Sequence, residues 1–251
     1  MKITLYYFSA TGNSMTTAQR IAQEMGDCQL VPVASTKSLS KVVVKTEAVG
    51  FVFPVYYGNM PWPVREMISK MVFPAETYCF LFTTWRGHAG DVAKRADQLL
   101  HTRGQKLSLA MGIPMPGNSF INAPEVDEDH LAKQQAHILE QLEALKAGTV
   151  NDYATTEVLR QVPVDYPNNF RGITADENCV GCGTCVKVCP MGNIAIRDGR
   201  AVIGDDCATC LSCFHWCPVE AIWMSQAENI ARRSKYRHPD VTVDDIAAQL
   251  G

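Results

Sequence analysis

Lys2-Ile3-Thr4-Leu5-Tyr6-Tyr7-Phe8-Ser9-Ala10-Thr11-Gly12-Asn13-Ser14 is an apolar, strand-like run that breaks into a loop of hydroxyls and glycine and then enters a helical pattern. From Asn13 to Met25 the residues Met15, Ala18, Ile21, Ala22 and Met25 share one helical face, and Gly26 stands where a left-handed cap fits. The alternation continues. Leu30–Val33, Ala48–Phe53, Tyr78–Thr84 and Leu107–Ile113 read as further buried strands, with helices predicted over Pro61–Met71, Ala89–Leu100 and Glu125–Lys146. The expected class is therefore α/β: a doubly wound, five-stranded parallel sheet covered on both faces, which binds ligands beyond the carboxyl ends of its strands. Residues 34–47 give no clear element.

A loop from strand to helix offers free backbone N–H groups at the positive end of the helix dipole, and Ser9, Thr11 and Ser14 add hydroxyls. That suits a terminal phosphate; helix capping alone is the competing reading of the same residue types. Two other loops should emerge at the same edge: Phe53-Pro54-Val55-Tyr56-Tyr57-Gly58-Asn59-Met60-Pro61 and Thr83-Thr84-Trp85-Arg86-Gly87-His88-Ala89-Gly90. They bring aromatic faces and glycine-supported backbone groups. Neither a Gly-x-Gly-x-x-Gly fingerprint nor a Gly-Lys-Ser/Thr loop is present.

The segment Ser9–Ser14 resembles the Ser/Thr-x-Thr-Gly-x-Ser/Thr phosphate loop of flavodoxins, with serine at the last position, and residues 1–148 resemble a flavodoxin-like domain. The resemblance implies FMN. The expected cofactor-binding residues are Ser9, Thr11, Gly12, Asn13 and Ser14 at the phosphate, and Pro54, Val55, Tyr56, Tyr57, Gly58, Thr84, Trp85, Arg86, Gly87, His88 and Gly90 around the ring. Arg86 is a candidate to stabilise negative charge on a reduced flavin and His88 to donate a proton. Met115–Phe120, after the fifth strand, is expected either to cover the flavin, to meet the second domain, or to be a surface loop.

Eight of the ten cysteines crowd into 39 residues, as Cys179-x2-Cys182-x2-Cys185-x3-Cys189-Pro190 and Cys207-x2-Cys210-x2-Cys213-x3-Cys217-Pro218. Each cysteine recurs after 28 residues, so the segment is duplicated. Three thiolates at intervals of three residues wrap three corners of an iron–sulfur cube, and the fourth corner needs a distant ligand. Structural zinc is the alternative, but its paired cysteines need neither the third thiolate nor a remote fourth. Residues 176–225 resemble bacterial two-[4Fe-4S] ferredoxins, in which the last cysteine of each run ligates the other cluster. That resemblance assigns Cys179, Cys182, Cys185 and Cys217 to one cluster and Cys207, Cys210, Cys213 and Cys189 to the second. Val180, Val186, Val188, Ile194, Ile196, Val202, Ile203, Leu211, Ile222 and Trp223 are expected to shelter them. His215 is not expected to be a ligand, and Cys28 and Cys79 read as ordinary buried thiols.

The whole chain resembles the flavodoxin-ferredoxin fusion proteins, an electron-transfer family. The expected organisation is an FMN-binding domain over residues 1–148, a connection over 149–175, a smaller α+β ferredoxin-like domain over 176–225 and a tail over 226–251. The tail's basic run, Arg232 to Arg237, reads as a solvated helix end or a docking site for an acidic redox partner. At 251 residues, 47% hydrophobic, the chain supports a full core, and its net charge of -3 gives no global attraction to nucleic acid or anionic membranes. No apolar run is long enough to span a bilayer, and no export signal is read, so the expected location is cytoplasmic. The function expected is electron transfer between two [4Fe-4S] clusters and FMN, to or from redox proteins. The alternative is an FMN-dependent reductase of a small molecule fed by the clusters. No motif specifies a substrate, the direction of flow or the oligomeric state.

Overall fold

A computed structural model describes residues 1–118, 123–150, 172–224 and 235–250, with the side chains of residues 223 and 224 outside the description. Among these, the chain divides into two units: 1–9, 13–116 and 125–150 form the first, and 10–12, 117–118, 123–124, 172–224 and 235–250 the second.

In the first unit, β1 (Ile3–Tyr7) leads into α1 (Asn13–Met25), β2 (Cys28–Pro32), β3 (Val42–Val43) and β4 (Ala48–Pro54). Then follow α2 (Trp62–Ser69), β5 (Met71–Val72), β6 (Tyr78–Trp85), α3 (Val92–His101), β7 (Leu107–Pro114) and α4 (Pro124–Lys146). Helix α1 ends as its sequence requires: Gly26 has φ +76° and its amide closes on the Ala22 carbonyl. The main sheet has the order β2-β1-β4-β6-β7, every pairing parallel. Central strands β4 and β6 are nearly continuous apolar runs because both faces are covered. Ile3, Leu5, Val52, Phe80, Phe82 and Ile113 of the sheet pack with Ala18 and Ile21 of α1 and with Ile138, Leu142 and Leu145 of α4.

Counting only strands of the main sheet, this is the 2-1-3-4-5 order of flavodoxin-like folds. The chain reverses direction across the sheet between β1 and β4, so the loops after these strands flank the switch point. The expected strands and helices are all present. The stretch over 34–47 instead holds a 3₁₀ turn, Val33–Thr36, and β3, which pairs with β5 in a separate two-stranded ribbon. No helix among the described residues is long and apolar enough to cross a membrane.

The second unit contains β8 (Ile173–Ala175), α5 (Thr184–Lys187), β9 (Ile194–Arg197), β10 (Arg200–Ile203), α6 (Ser212–Trp216), β11 (Ile222–Met224) and α7 (Val243–Ala247). Strand β9 pairs antiparallel with β10, and β11 with β8. The pairing therefore reaches upstream to Ile173. Residues 151–171, most of the expected connection, lie outside the described residues.

Candidate functional site

The cysteine segment repeats in backbone as well as in sequence. Gly181, Gly183 and Gly192 have positive φ, and so do Thr209, Leu211 and Glu220, each 28 residues later. The first repeat meets this left-handed geometry with glycine; the second imposes it on side chains, at a typical cost of about 1–2 kcal/mol each. The two repeats also bind sulfur alike at the fourth cysteine. The amide of Asn193 donates to Cys189 Sγ at 3.4 Å, and that of Ala221 to Cys217 Sγ at 3.2 Å. At the first cysteine the repeats differ: the donor to Cys179 Sγ is the Ala201 amide, 22 residues on, at 3.4 Å, and the donor to Cys207 Sγ is the Thr209 amide, two residues on, at 3.3 Å. N–H donors aimed at sulfur stabilise thiolates and raise the potential of whatever they ligate.

Two groups of thiols emerge from their electrostatic neighbours. Burial pushes the Cys185 thiol up to about 11, with Cys179, Cys182 and Cys217 adding to it. Burial likewise raises Cys210, with Cys189 and Cys207 adding to it. Cys213 is raised well above its ordinary value by burial, then by Cys210, Cys207 and Cys189, with a smaller effect from Cys185. Cys182 is exposed and lowered by hydrogen bonding to Thr184. A cube takes thiolates spread around a volume, one at each iron, whereas zinc gathers its sulfurs about one atom; each repeat offers three cysteines at intervals of three residues and a fourth four residues on. The donor set fits iron–sulfur clusters.

Val186, Ile194, Ile203, Leu211 and Ile222 pack in the core of this unit, and Val188 is buried. Three of the expected sheltering residues do not: Val180 is 66% exposed, Val202 42% and Ile196 37%. Strand alternation turns Val202 away from the core-facing Ala201, and the loop holding Val180 faces solvent. The Trp223 side chain lies outside the described residues. His215 is fully buried; its Nδ1 accepts from the Tyr236 amide, so Nε2 carries the proton donated to the Asn118 carbonyl. Both nitrogens are thus occupied away from any metal. Cys79 is buried, as expected, and Cys28 half-buried.

In the sheet unit, Ser14 Oγ lies 2.8 Å from Thr84 Oγ1, and Asn13 Nδ2 donates to the Pro116 carbonyl at 2.7 Å. Tyr56 and Asn59 exchange backbone hydrogen bonds around Tyr57 and Gly58, both with positive φ, the signature of a type I′ turn. The turn leaves Tyr57 53% exposed. A Cβ at Gly90 would come within 2.6 Å of Gly58 Cα, so the loops after β4 and β6 meet backbone to backbone. Pro54 and Val55 are half-buried, and the Val55 amide is held by the Thr84 carbonyl. Trp85 is half-buried, with its Nε1 lacking a hydrogen-bond acceptor among the described residues. Gly87 and His88 are exposed. Arg86 is engaged: its Nη1 lies 3.4 Å from Asp127 Oδ2 on α4, both side chains largely buried. Asp127 was missed from sequence because nothing in its spacing connects a helix start to the loop after β6. Aromatic faces, an unsatisfied indole N–H and hydroxyls at the strand ends fit a flavin. A cavity of about 730 Å³, lined by residues including Glu47, Tyr78 and Lys106, lies at the opposite strand edge and gathers none of these groups.

Ala10–Gly12 fall in the second unit. The Ala10 carbonyl accepts from Ser212 Oγ at 3.0 Å and Trp216 Nε1 at 2.9 Å, and the Thr11 carbonyl from the His238 amide at 2.8 Å. His238 carried no recognisable role in the sequence. Of the basic run, Arg232–Ser234 lie outside the described residues, whereas Lys235 and Arg237 are not in a solvated helix end: they lie over the Phe214 and Trp216 rings. In Met115–Phe120, the Asn118 side chain donates to the Cys210 carbonyl, and Ser119 and Phe120 lie outside the described residues.

No curated protein matches the chain. Among solved structures it is similar to a flavodoxin from the domain Archaea, at 16% identity and TM-score 0.38 over 58% of this chain and 99% of that one. It is also similar to the Streptococcus pneumonia TIGR4 flavodoxin, at 13% identity and TM-score 0.38 over 58% and 99%. For two-electron reduced Megasphaera elsdenii flavodoxin the values are 19% and 0.34 over 53% and 98%. Residues 178–222 match the family described as a 4Fe-4S dicluster domain. The sheet order above is that of flavodoxin-like folds, and the dicluster match covers 178–222; the two together resemble the build of a flavodoxin-ferredoxin fusion.

Proposed function

We propose that the protein is an iron–sulfur flavoprotein that carries electrons between redox protein partners through two [4Fe-4S] clusters and FMN. Cys179, Cys182, Cys185 and Cys217 hold one cluster, and Cys207, Cys210, Cys213 and Cys189 the other. Ser9, Thr11, Gly12, Asn13 and Ser14 hold the flavin phosphate, while Tyr56, Tyr57, Gly58, Trp85 and Gly90 border the ring. When bound, the clusters supply one-electron exchange and the flavin exchange of one or two electrons.

One observation carries the reading. The carbonyl of Ala10, in the proposed phosphate loop, is hydrogen-bonded by Ser212 and Trp216, which bracket Cys213 and precede Cys217 on α6. Within the second unit, two hydrogen bonds thus tie the proposed cluster-holding helix to the 10–12 part of the proposed phosphate loop. The side chains supply the rest: Ile194, Leu211, Phe214 and Ile222 in the core of the cysteine unit shield the clusters from water, and the stiff turn at Tyr57 presents a ring for stacking.

Anaerobic purification followed by iron, sulfide and flavin assay on one sample tests the assignment. About eight iron atoms and one FMN per chain are expected. Rapid mixing with a low-potential one-electron donor should bleach the clusters first and the flavin afterwards. Stoichiometric zinc after anaerobic iron supply, or a flavin that never bleaches while both clusters are reduced, overturns the proposal.

A further inference from the structure

The segment His238-Pro239-Asp240-Val241 is built as a rigid piece. Val241 N donates to the His238 carbonyl at 3.1 Å across a turn with proline at its second position, and Asp240 N donates to His238 Nδ1 at 3.2 Å. Directly after it, Thr242 and Asp245 cap α7 reciprocally: Asp245 N donates to Thr242 Oγ1, and Thr242 N to Asp245 Oδ2. His238 and Val241 are buried. Both lie against Gly12, where a Cβ would stand 2.7 Å from His238 Cβ and 2.9 Å from Val241 Cγ2. Gly12 has φ +106°, a conformation that side-chain-bearing residues rarely adopt. All these residues belong to the second unit.

We infer that His238–Val241 is a positioning element of the flavin-phosphate loop. A trans peptide carries its N–H opposite its C=O. Anchoring the Thr11 carbonyl on the His238 amide therefore turns the Gly12 N–H away from the C-terminal segment, and anchoring the Ala10 carbonyl on α6 does the same to the Thr11 N–H. Two successive amides set in this way, with a left-handed residue after them, form the concave donor arrangement that holds anions. The packing of His238 and Val241 on Gly12 keeps the second peptide from rotating back. Selectivity for a phosphorylated flavin over its dephosphorylated form thus depends on residues more than 220 positions downstream of the loop. The inference rests on the FMN reading above.

The test compares FMN and riboflavin affinities by fluorescence quenching, on the full-length, cluster-loaded protein stripped of flavin. In the double variant His238→Ala/Val241→Ala, FMN affinity should fall about tenfold or more, the worth of a hydrogen bond to a charged group. Riboflavin affinity and iron content should be unchanged. The single variant Val241→Thr keeps the branched contact and should retain the wild-type ratio of the two affinities. An unchanged FMN affinity in the double variant, or an equal fall for both flavins, overturns the inference while leaving FMN binding intact. Wild-type protein that binds both flavins equally overturns the phosphate reading and this inference with it.

Discussion

Lys235 places its ammonium 3.2 Å from the centroid of the Phe214 ring, an arrangement in which the ring's negative face holds the cation. Phe214 follows Cys213, and Cys213 and Cys217 are both among the charges that Lys235 feels. A fixed positive charge there favours the more negative, reduced form of an adjacent cluster, because net charge is one of the determinants of its potential. Lys235→Met should therefore lower a cluster potential in an anaerobic spectroelectrochemical titration, while Lys235→Arg, which keeps the charge and stacks on rings, should leave it near the wild-type value. Equal potentials in all three proteins would show that solvent screens the charge. Residues 178–222 match a 4Fe-4S dicluster domain, and their duplicated cysteine spacing was legible in the sequence. Lys235 was not: the sequence shows a basic run, and only tertiary packing turns one member onto a ring 21 positions earlier.

Among the elements, β4 shows how closely the sheet's register is bound to residue size. Gly50 pairs across the sheet with Leu5 on β1 and Phe80 on β6, and a Cβ at Gly50 would collide with Leu5 Cδ1 and with the Phe80 ring. The aromatic ring fills the space that the glycine leaves. Gly50→Ala should then overpack the centre of the sheet at a cost of about 1–3 kcal/mol, lowering the thermal midpoint of the full-length protein. Adding Phe80→Leu to it should recover part of the loss; a double variant as unstable as the sum of the singles would remove the steric explanation. Periodicity reveals strands and helices because buried faces repeat, and it placed all five long strands and four helices within a few residues. It missed β3 and β5, each two residues long, because a pair so short has no period and is defined only by the partner it meets.

At the scale of the whole cysteine unit, the two repeats exchange their ends. Strand β11 follows Cys217 and pairs with β8, which precedes Cys179; strand β9 follows Cys189 and pairs with β10, which precedes Cys207. The last strand of each repeat thus crosses to the first strand of the other, and it carries the fourth cysteine with it. The Asp176 amide bonded to the Ala221 carbonyl at 2.9 Å adds a stitch beside Cys217. The 28-residue repeat was visible in the sequence, but the exchange was implied only by resemblance, since spacing within one repeat is silent about which repeat supplies the fourth corner. The crossed ligation proposed above puts Cys217 with Cys179, Cys182 and Cys185, the thiols whose charges act on one another at Cys185. Cys217→Ser should accordingly cost the cluster on Cys179, Cys182 and Cys185, removing roughly four of about eight iron atoms. Cys189→Ser should cost the cluster on Cys207, Cys210 and Cys213 instead. Iron assay with electron paramagnetic resonance of the reduced proteins reads which centre survives. The buried set around Cys210 and Cys213 and the more exposed set around Cys182 should give distinguishable signals, so the two variants should leave complementary spectra that sum to the wild type. Loss of the Cys207-type signal in Cys217→Ser would mean that each repeat closes on itself, against the direction in which its strands run.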